Sequence, residues 1–371
     1  MRLFSIVVSV FLFCSIVYSA PALDTFGIAM FYTSKPGTEQ WNSAHWNNGI
    51  PRTVKYCDDE DDPTGWTEDH SGGTDGFAID GEGTMTMSGI GPRFHINSLD
   101  SSKQHRQFFR NIEFTAYFMH KGLNGQNWGG MVVGLRSGPL GHASSGGNDC
   151  DATTYYARFR NDGKWDFEKE LKHPGSTYRS SAGPNTQPPL WNGAQLPQNR
   201  WIGMKYCIYN NESDSRVTLE LYIDSVSHGN PVDGGTWQHV GTVVDSGDWP
   251  SGDVSGCTYD QNSIILDGHG TALMRTDGDT AVYAMVSLRE IIPESSTTST
   301  GRHDGFTGSG KPASRYSPLC SVRFDDSRSL NISQLENGCF TIRGEHIPPC
   351  NVTNIRFRSS GVYITRPNTG H

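Results

Sequence analysis

The sequence predicts an all-β protein: two antiparallel sheets packed face to face as a sandwich. Three observations predict it. Between Leu23 and Ile292, segment after segment alternates apolar and polar residues at period two, the mark of a strand with one buried face. Glycine is abundant, at 43 residues, and it falls between these segments, where short strand-to-strand turns need it. No stretch carries the period of a long amphipathic helix. Sheets that each bury one face meet most simply as a sandwich.

The chain opens with MRLFSIVVSVFLFCSIVYS, a basic residue before a short apolar run that ends in small residues. Residues 1–19 read as a secretory signal peptide, cut after Ser19 or after Ala22. No later stretch is long and apolar enough to cross a bilayer as a helix. A secreted, extracellular protein is expected. Without the leader, which carries Arg2 and no acid, 29 Lys+Arg stand against 39 Asp+Glu, a formal charge of −10. That charge makes the chain a poor candidate for binding nucleic acid or anionic membranes, although a local basic patch can override the net sign.

Seven cysteines follow the leader, and an odd number leaves at least one unpaired, or paired to another chain, in an oxidising compartment. Cys207 is the candidate, because it sits in the strand-like run WIGMKYCIY as a small apolar residue. The other six allow up to three bridges, with connectivity open. Sequons at Asn211, Asn331 and Asn351 predict N-glycans in a secreted chain.

The strands come in order. FAIDGEGTMTM predicts a hairpin turning at Asp80-Gly81. RFHIN sets Arg93, His95 and Asn97 against Phe94 and Ile96. IEFTAYFMH sets Glu113, Thr115 and Tyr117 against Ile112, Phe114, Ala116 and Phe118. VTLELYID sets Thr218, Glu220, Tyr222 and Asp224 against Val217, Leu219, Leu221 and Ile223. AVYAMVSLREI closes the series, for a sandwich domain over 23–292. The stretch LDGHGTALMRTDGD reads as a connection between strands, with His269 at a Gly-rich turn. Residues 293–319 are Ser/Thr/Gly/Pro-rich and read as a linker. Residues 320–371 hold three cysteines and two strand-like pieces, and read as a small disulfide-dependent segment.

One hairpin stands out: YYARFRNDGKWDFEKELKHP, residues 155–174. Its turn, Arg160-Asn161-Asp162-Gly163, suits a type I turn with a Gly bulge, because Gly163 takes positive φ without steric cost. Arg160 then pairs with Lys164, Arg158 with Asp166, Tyr156 with Glu168, and Thr154 with Glu170. Tyr156, Arg158, Arg160, Asp166, Glu168 and Glu170 share one face. Tyr155, Ala157, Phe159, Trp165, Phe167 and Leu171 share the other, with Lys169 and His173 at its far end. Together with Arg93, His95, Tyr117, Lys205 and Tyr222 from neighbouring strands, the polar face predicts a shallow groove. Sugars suit such a groove: hydroxyls need planar hydrogen-bonding partners, and C–H faces stack on aromatic rings. Trp128, Trp165, Trp237 and Trp249 are the candidate exposed aromatics.

The order GFAIDGEGTM, GPRFHIN, NIEFTAYF, the charged hairpin, RWIGMKYCIYN, VTLELYID and GGTWQHV resembles the concanavalin A-like, jelly-roll group of carbohydrate-active proteins, over residues 50–292. That group contains lectins, glycoside hydrolases and polysaccharide lyases. The resemblance implies an extracellular polysaccharide as partner and no required cofactor, with a structural Ca²⁺ as an option. The acidic loop CDDEDDPTG (57–65) is the candidate for that ion. For a lyase acting on uronic-acid polymers, Arg93 and Arg158 would neutralise the sugar carboxylate. His95 or His173 would act as base and Tyr156 as acid, with Arg160, Lys169, Lys205 and Tyr222 as further substrate contacts. For a hydrolase, Asp166-x-Glu168-x-Glu170 resembles the Glu-x-Asp-x-Glu pattern of lectin-like endoglucanases. A lectin without chemistry needs only the groove, and a matrix or coat protein needs neither.

Overall fold

The computed structural model describes residues 21–293 except 39, 55–65, 72–75, 90, 99–109, 123–125, 139–148, 212–214, 269 and 278–279, and the backbone of four short strands beyond them. The described part is nearly all strand. A ten-stranded sheet runs in the order Gln238–Asp245, Arg216–Asp224, Ile202–Asn211, Ile112–His120, Ala281–Ile292, Thr84–Met87, Phe77–Ile79 and Arg52–Val54, and two short strands, Thr33–Ser34 and Gln40–Asn42, also pair with Ala281–Ile292. An eight-stranded sheet runs Gly183–Pro184, Gly175–Ser180, Trp165–Lys172, Thr154–Arg160, Gly130–Ser137, Thr271–Arg275, Arg93–Ser98 and Trp66–Ser71. The pairings between these strands are antiparallel. This is the antiparallel jelly-roll sandwich that the alternation predicts.

The core lies between the sheets and is built from the alternating positions. Phe94, Ile96, Met131, Val133, Tyr155, Ala157, Phe159, Phe167 and Met274 from one sheet meet Ile112, Phe114, Ala116, Phe118, Met204, Tyr206, Leu219 and Leu221 from the other. The hairpin at Asp80-Gly81 forms as predicted, with Phe77 opposite Met87. Asp80 Oδ1 accepts from the backbone N–H of Glu82 and Thr84, which fixes the turn.

Among the described residues a disulfide joins Cys150 to Cys257, and Cys207 is free and buried. Outside the unit Ala20–Pro312, which holds both sheets, the backbone forms two short hairpins, Cys339–Phe340 with His346–Ile347 and Asn354–Arg358 with Gly361–Thr365. The leader, the linker, the acidic loop 57–65, His269, Asn331 and Asn351 lie outside the described residues.

Candidate functional site

The charged hairpin adopts the predicted register. Thr154 pairs with Glu170, Tyr156 with Glu168 and Arg158 with Asp166. Arg160 N–H donates to Lys164 at 2.9 Å, and Gly163 turns the chain at φ +78°. Gly163 cannot be replaced without movement, because a Cβ there would stand 1.7 Å from the Ala194 carbonyl oxygen.

The hairpin sits mid-sheet, so its polar face joins the polar faces of its neighbours. One row across the eight-stranded sheet reads Arg93, Arg275, Val132, Arg158, Asp166. The next reads Asp69, His95, Leu273, Gly134, Tyr156, Glu168, Tyr178. Val132, Tyr156 and Leu273 form a small apolar cluster of their own, apart from the main core. The Tyr156 ring leans over Gly134, where an added Cβ would stand 2.9 Å from its Cε1.

Two halves of this face differ. The half on Thr154–Arg160 and Trp165–Lys172 is saturated. Arg158 grips Asp166 with two hydrogen bonds, at 2.6 and 2.8 Å, and also bonds Glu168. Burial alone would lower the Arg158 pKa, but the Asp166 and Glu168 charges outweigh it and raise it. Asp166 also accepts from Gln187 at 2.6 Å, and Arg160 holds Asp162 at 3.0 Å. Glu170 accepts from the Tyr156 hydroxyl at 2.9 Å on one oxygen and faces His173 Nδ1 at 2.9 Å on the other. Burial, then the Glu170 charge, pushes the Tyr156 phenol far above its ordinary range, so the proton stays on tyrosine.

The half on Trp66–Ser71, Arg93–Ser98 and Thr271–Arg275 is not saturated. Thr67 Oγ1, Arg93 Nε, His95 Nε2 and Arg275 Nε are buried atoms with no hydrogen-bond partner among the described residues. Arg275 lies with its guanidinium 5.0 Å from the Tyr156 ring centre and 3.8 Å from Glu168. Arg93 has no ion pair among the described residues; its one hydrogen bond goes to the Gly91 carbonyl at 2.8 Å. Burial, then the nearby Arg275 charge, lowers the Arg93 pKa. His95 Nδ1 is 3.9 Å from Asp69.

The structure therefore brings together Arg93, His95, Tyr156, Arg158, Arg160, Glu168, Glu170 and His173. It corrects four placements. Lys169 points into the core, where it donates to Asp245 at 2.7 Å and to the Trp249 carbonyl at 2.9 Å. Lys205 and Tyr222 lie on the outer face of the ten-stranded sheet, Lys205 on Glu113 at 2.8 Å and Tyr222 on Glu220 at 3.0 Å. Tyr117 is there too, bonded to Asp224. The face is also not an open, shallow groove: Tyr156 and Asp166 are fully buried, and exposure rises only toward its ends, at Asp69 (22 %) and His173 (28 %). Of the four tryptophans that were candidates for exposure, Trp128 is exposed, whereas Trp165, Trp237 and Trp249 are buried.

Sequence reasoning missed Arg275, Asp277 and Asp69. Thr271–Arg275 is a central strand, not a connection. Its alternation of Thr271, Leu273 and Arg275 against Ala272 and Met274 was the available signal, muted by only five residues between glycine-rich flanks. Among the described residues no three His, Cys, Asp or Glu side chains gather to hold a metal. No described helix is long and apolar enough to cross a membrane.

No family model matches the chain, and no curated protein matches it. Among solved structures it is similar to the legume lectin-like domain from Entamoeba histolytica, at 11% identity and TM-score 0.32 over 61% of this chain and 90% of that one. It is similar to lectin II from Ulex europaeus, at 7% identity and TM-score 0.34 over 65% and 98%. It is also similar to the marine PL-14 alginate lyase from Aplysia kurodai, at 9% identity and TM-score 0.32 over 69% and 91%. The scores lie below 0.5, and what the chain does is read from its own side chains.

Proposed function

We propose that the outer face of the eight-stranded sheet binds an acidic polysaccharide, and that the protein is a secreted lyase that cleaves it by β-elimination. One observation carries this reading: four buried atoms without a hydrogen-bond partner among the described residues, on Thr67, Arg93, His95 and Arg275, share one outer sheet face with a tyrosine whose hydroxyl donates to Glu170. A buried polar atom without a hydrogen bond is costly, at about 1–3 kcal/mol, and a bound carboxylate and hydroxyls would supply partners on this face. Substrate would enter from the ends of the face, at Asp69 and His173.

The roles follow from the chemistry. Arg93 and Arg275 take the uronate carboxylate, which makes the neighbouring C–H more acidic. His95, through its unpartnered Nε2, takes that proton. The released electron pair forms a ring double bond and the glycosidic C–O bond breaks. Tyr156 gives its proton to the leaving oxygen. His173 faces the other oxygen of Glu170 and is the source that recharges the phenol. Hydrolysis fits less well, because Asp166 and Glu168 are both tied to Arg158, and the carboxylic acid of a hydrolase must keep a proton to give.

The test is to incubate the full chain with a panel of uronic-acid and neutral polysaccharides. Ultraviolet absorbance of the unsaturated sugar, reducing ends and retention in affinity gels are followed together. The reading expects absorbance on a uronate polymer that vanishes in Tyr156→Phe while retention persists. Reducing ends without absorbance would move the chemistry to Glu168 and Glu170. Retention without products would leave a lectin, and no retention on any glycan would favour a matrix or coat role.

A further inference from the structure

Arg275 ends its strand, and Asp277 follows two residues later. Their ion pair is close but not aligned. Arg275 Nε is 3.1 Å from Asp277 Oδ2, yet both atoms are buried and neither makes a hydrogen bond among the described residues. Asp277 holds a backbone φ of +50°, in the left-handed region that favours glycine. A carboxylate held this way supplies charge to the guanidinium without the directed pairing that Asp166 gives Arg158. Arg93 is the cross-strand partner of Arg275, so two guanidinium-bearing residues lie side by side at this end of the face. The other contacts of Arg275, with Glu168 and the Tyr156 ring, lead into the site.

We propose that Asp277 is a specificity-determining residue whose carboxylate stands where a uronic acid carboxylate binds, so that substrate exchanges for it at Arg275. This rests on the reading of the face as a uronate site. A neutral sugar has no charge to trade and leaves the Arg275–Asp277 pair in place. A uronate must displace Asp277, and the two like charges compete for Arg275 and Arg93. Asp277 thus sets how much negative charge a polymer must carry to bind.

The experiment compares retention of a polyuronate with that of the same polymer after its carboxyl groups are reduced to neutral alcohols. It uses the full chain carrying Tyr156→Phe, which keeps the polymer intact, with and without Asp277→Asn. Asp277→Ser, smaller and also uncharged, is run in parallel, and melting temperature checks that each variant is folded. The expected result is about tenfold tighter binding of the polyuronate, the scale of one removed like charge in a partly buried site, with the neutral polymer unchanged. Equal or weaker polyuronate binding in both variants overturns the inference, as does equal tightening for both polymers. Where the Tyr156→Phe chain retains polyuronate and the variants do not differ from it, the role of Asp277 alone falls. Where neither the wild-type chain nor any variant retains either polymer, the uronate reading falls with it.

Discussion

The back of the ten-stranded sheet offers a sharp test of placement. Glu113 is 1 % exposed there and accepts from Lys205 at 2.8 Å, from the backbone N–H of Phe31 at 3.1 Å and Tyr32 at 3.1 Å, and from Arg289. Lys205 also donates to Thr115 at 2.6 Å and lies 5.0 Å from the ring centres of Phe31 and Trp237. Glu113→Gln would leave two buried cations facing an amide that presents donors to donors. Removing one partner of a buried ion pair costs about 3–5 kcal/mol, and Glu113 serves two cations, so a loss at the upper end of that range is expected. Lys205→Met keeps the apolar stem and leaves Glu113 with Arg289 and both N–H groups, so it should cost about 1.5–3 kcal/mol, one charged hydrogen bond. Urea denaturation measures both. The same proteins, folded, should retain glycan as the wild type does, because Lys205 is on the far sheet from the site. A loss under about 1 kcal/mol for Glu113→Gln would refute the energetics. Lost retention in a stable Lys205→Met protein would refute the placement. Burial alone would raise the Glu113 pKa, but Lys205 and then Arg289 outweigh it and lower it. Its contribution is therefore present above its ordinary value of 4.5 and should fade as pH falls through the depressed one.

Other perturbations probe the rest. Gly134→Ala would place a Cβ 2.8 Å from Thr154 Cγ2, 2.9 Å from Tyr156 Cε1 and 3.0 Å from Leu273 Cγ, so Tyr156 must move; a stability loss of about 1–3 kcal/mol is expected by thermal melting, with weakened glycan processing. Burial lowers the His45 pKa, but its hydrogen bond to Glu68 outweighs this and raises it, and the same contact with Arg52 depresses Glu68 against burial. The pair's stabilisation should therefore peak between the ordinary values of 4.5 and 6.5 and decline as pH rises through the raised His45 value; a melting-temperature gap between wild type and His45→Gln that is flat with pH would contradict this. Replacing Cys150 and Cys257 by serine opens a bridge across 107 residues of sequence and should cost about 2–5 kcal/mol in denaturant titration.

What could be read from sequence was local. The hairpin register was legible because one glycine fixes its turn, and a one-residue slip would have exchanged its two faces. The free cysteine was legible because a lone thiol in an apolar strand behaves as a small hydrophobe. What could not be read was which strands share a sheet. Alternation says that Lys205 and Tyr222 lie opposite their apolar neighbours, but not that this face belongs to a different sheet from Arg93 and His95. Lys169 misled for a similar reason. Its position in the strand points to the core, and its partner Asp245 lies 76 residues away, where no local pattern shows it.

The two outer faces are alike in composition and differ in satisfaction, and that difference sets apart the face proposed here as the site. On the ten-stranded sheet, Glu113 is fully engaged, and Glu220 accepts from Tyr32 at 2.6 Å, Tyr222 at 3.0 Å and Tyr209 at 3.2 Å. None of Glu113, Lys205, Glu220, Tyr222 and Arg289 has a buried atom without a partner. On the outer face of the eight-stranded sheet, Thr67, Arg93, His95 and Arg275, on three adjoining strands, each carry a buried atom without a partner among the described residues, and the same face holds a tyrosine that donates to a carboxylate. A sheet that needed only to be covered would be as stable with apolar residues there, since buried charges seldom improve on them. Keeping charge in that place, and leaving it partly unsatisfied, lowers the stability of the isolated fold. A bound ligand reverses that loss, because it stabilises the folded chain alone. The unsaturated half of the face is therefore where a ligand gains most, and where substitutions should change binding more than they change folding.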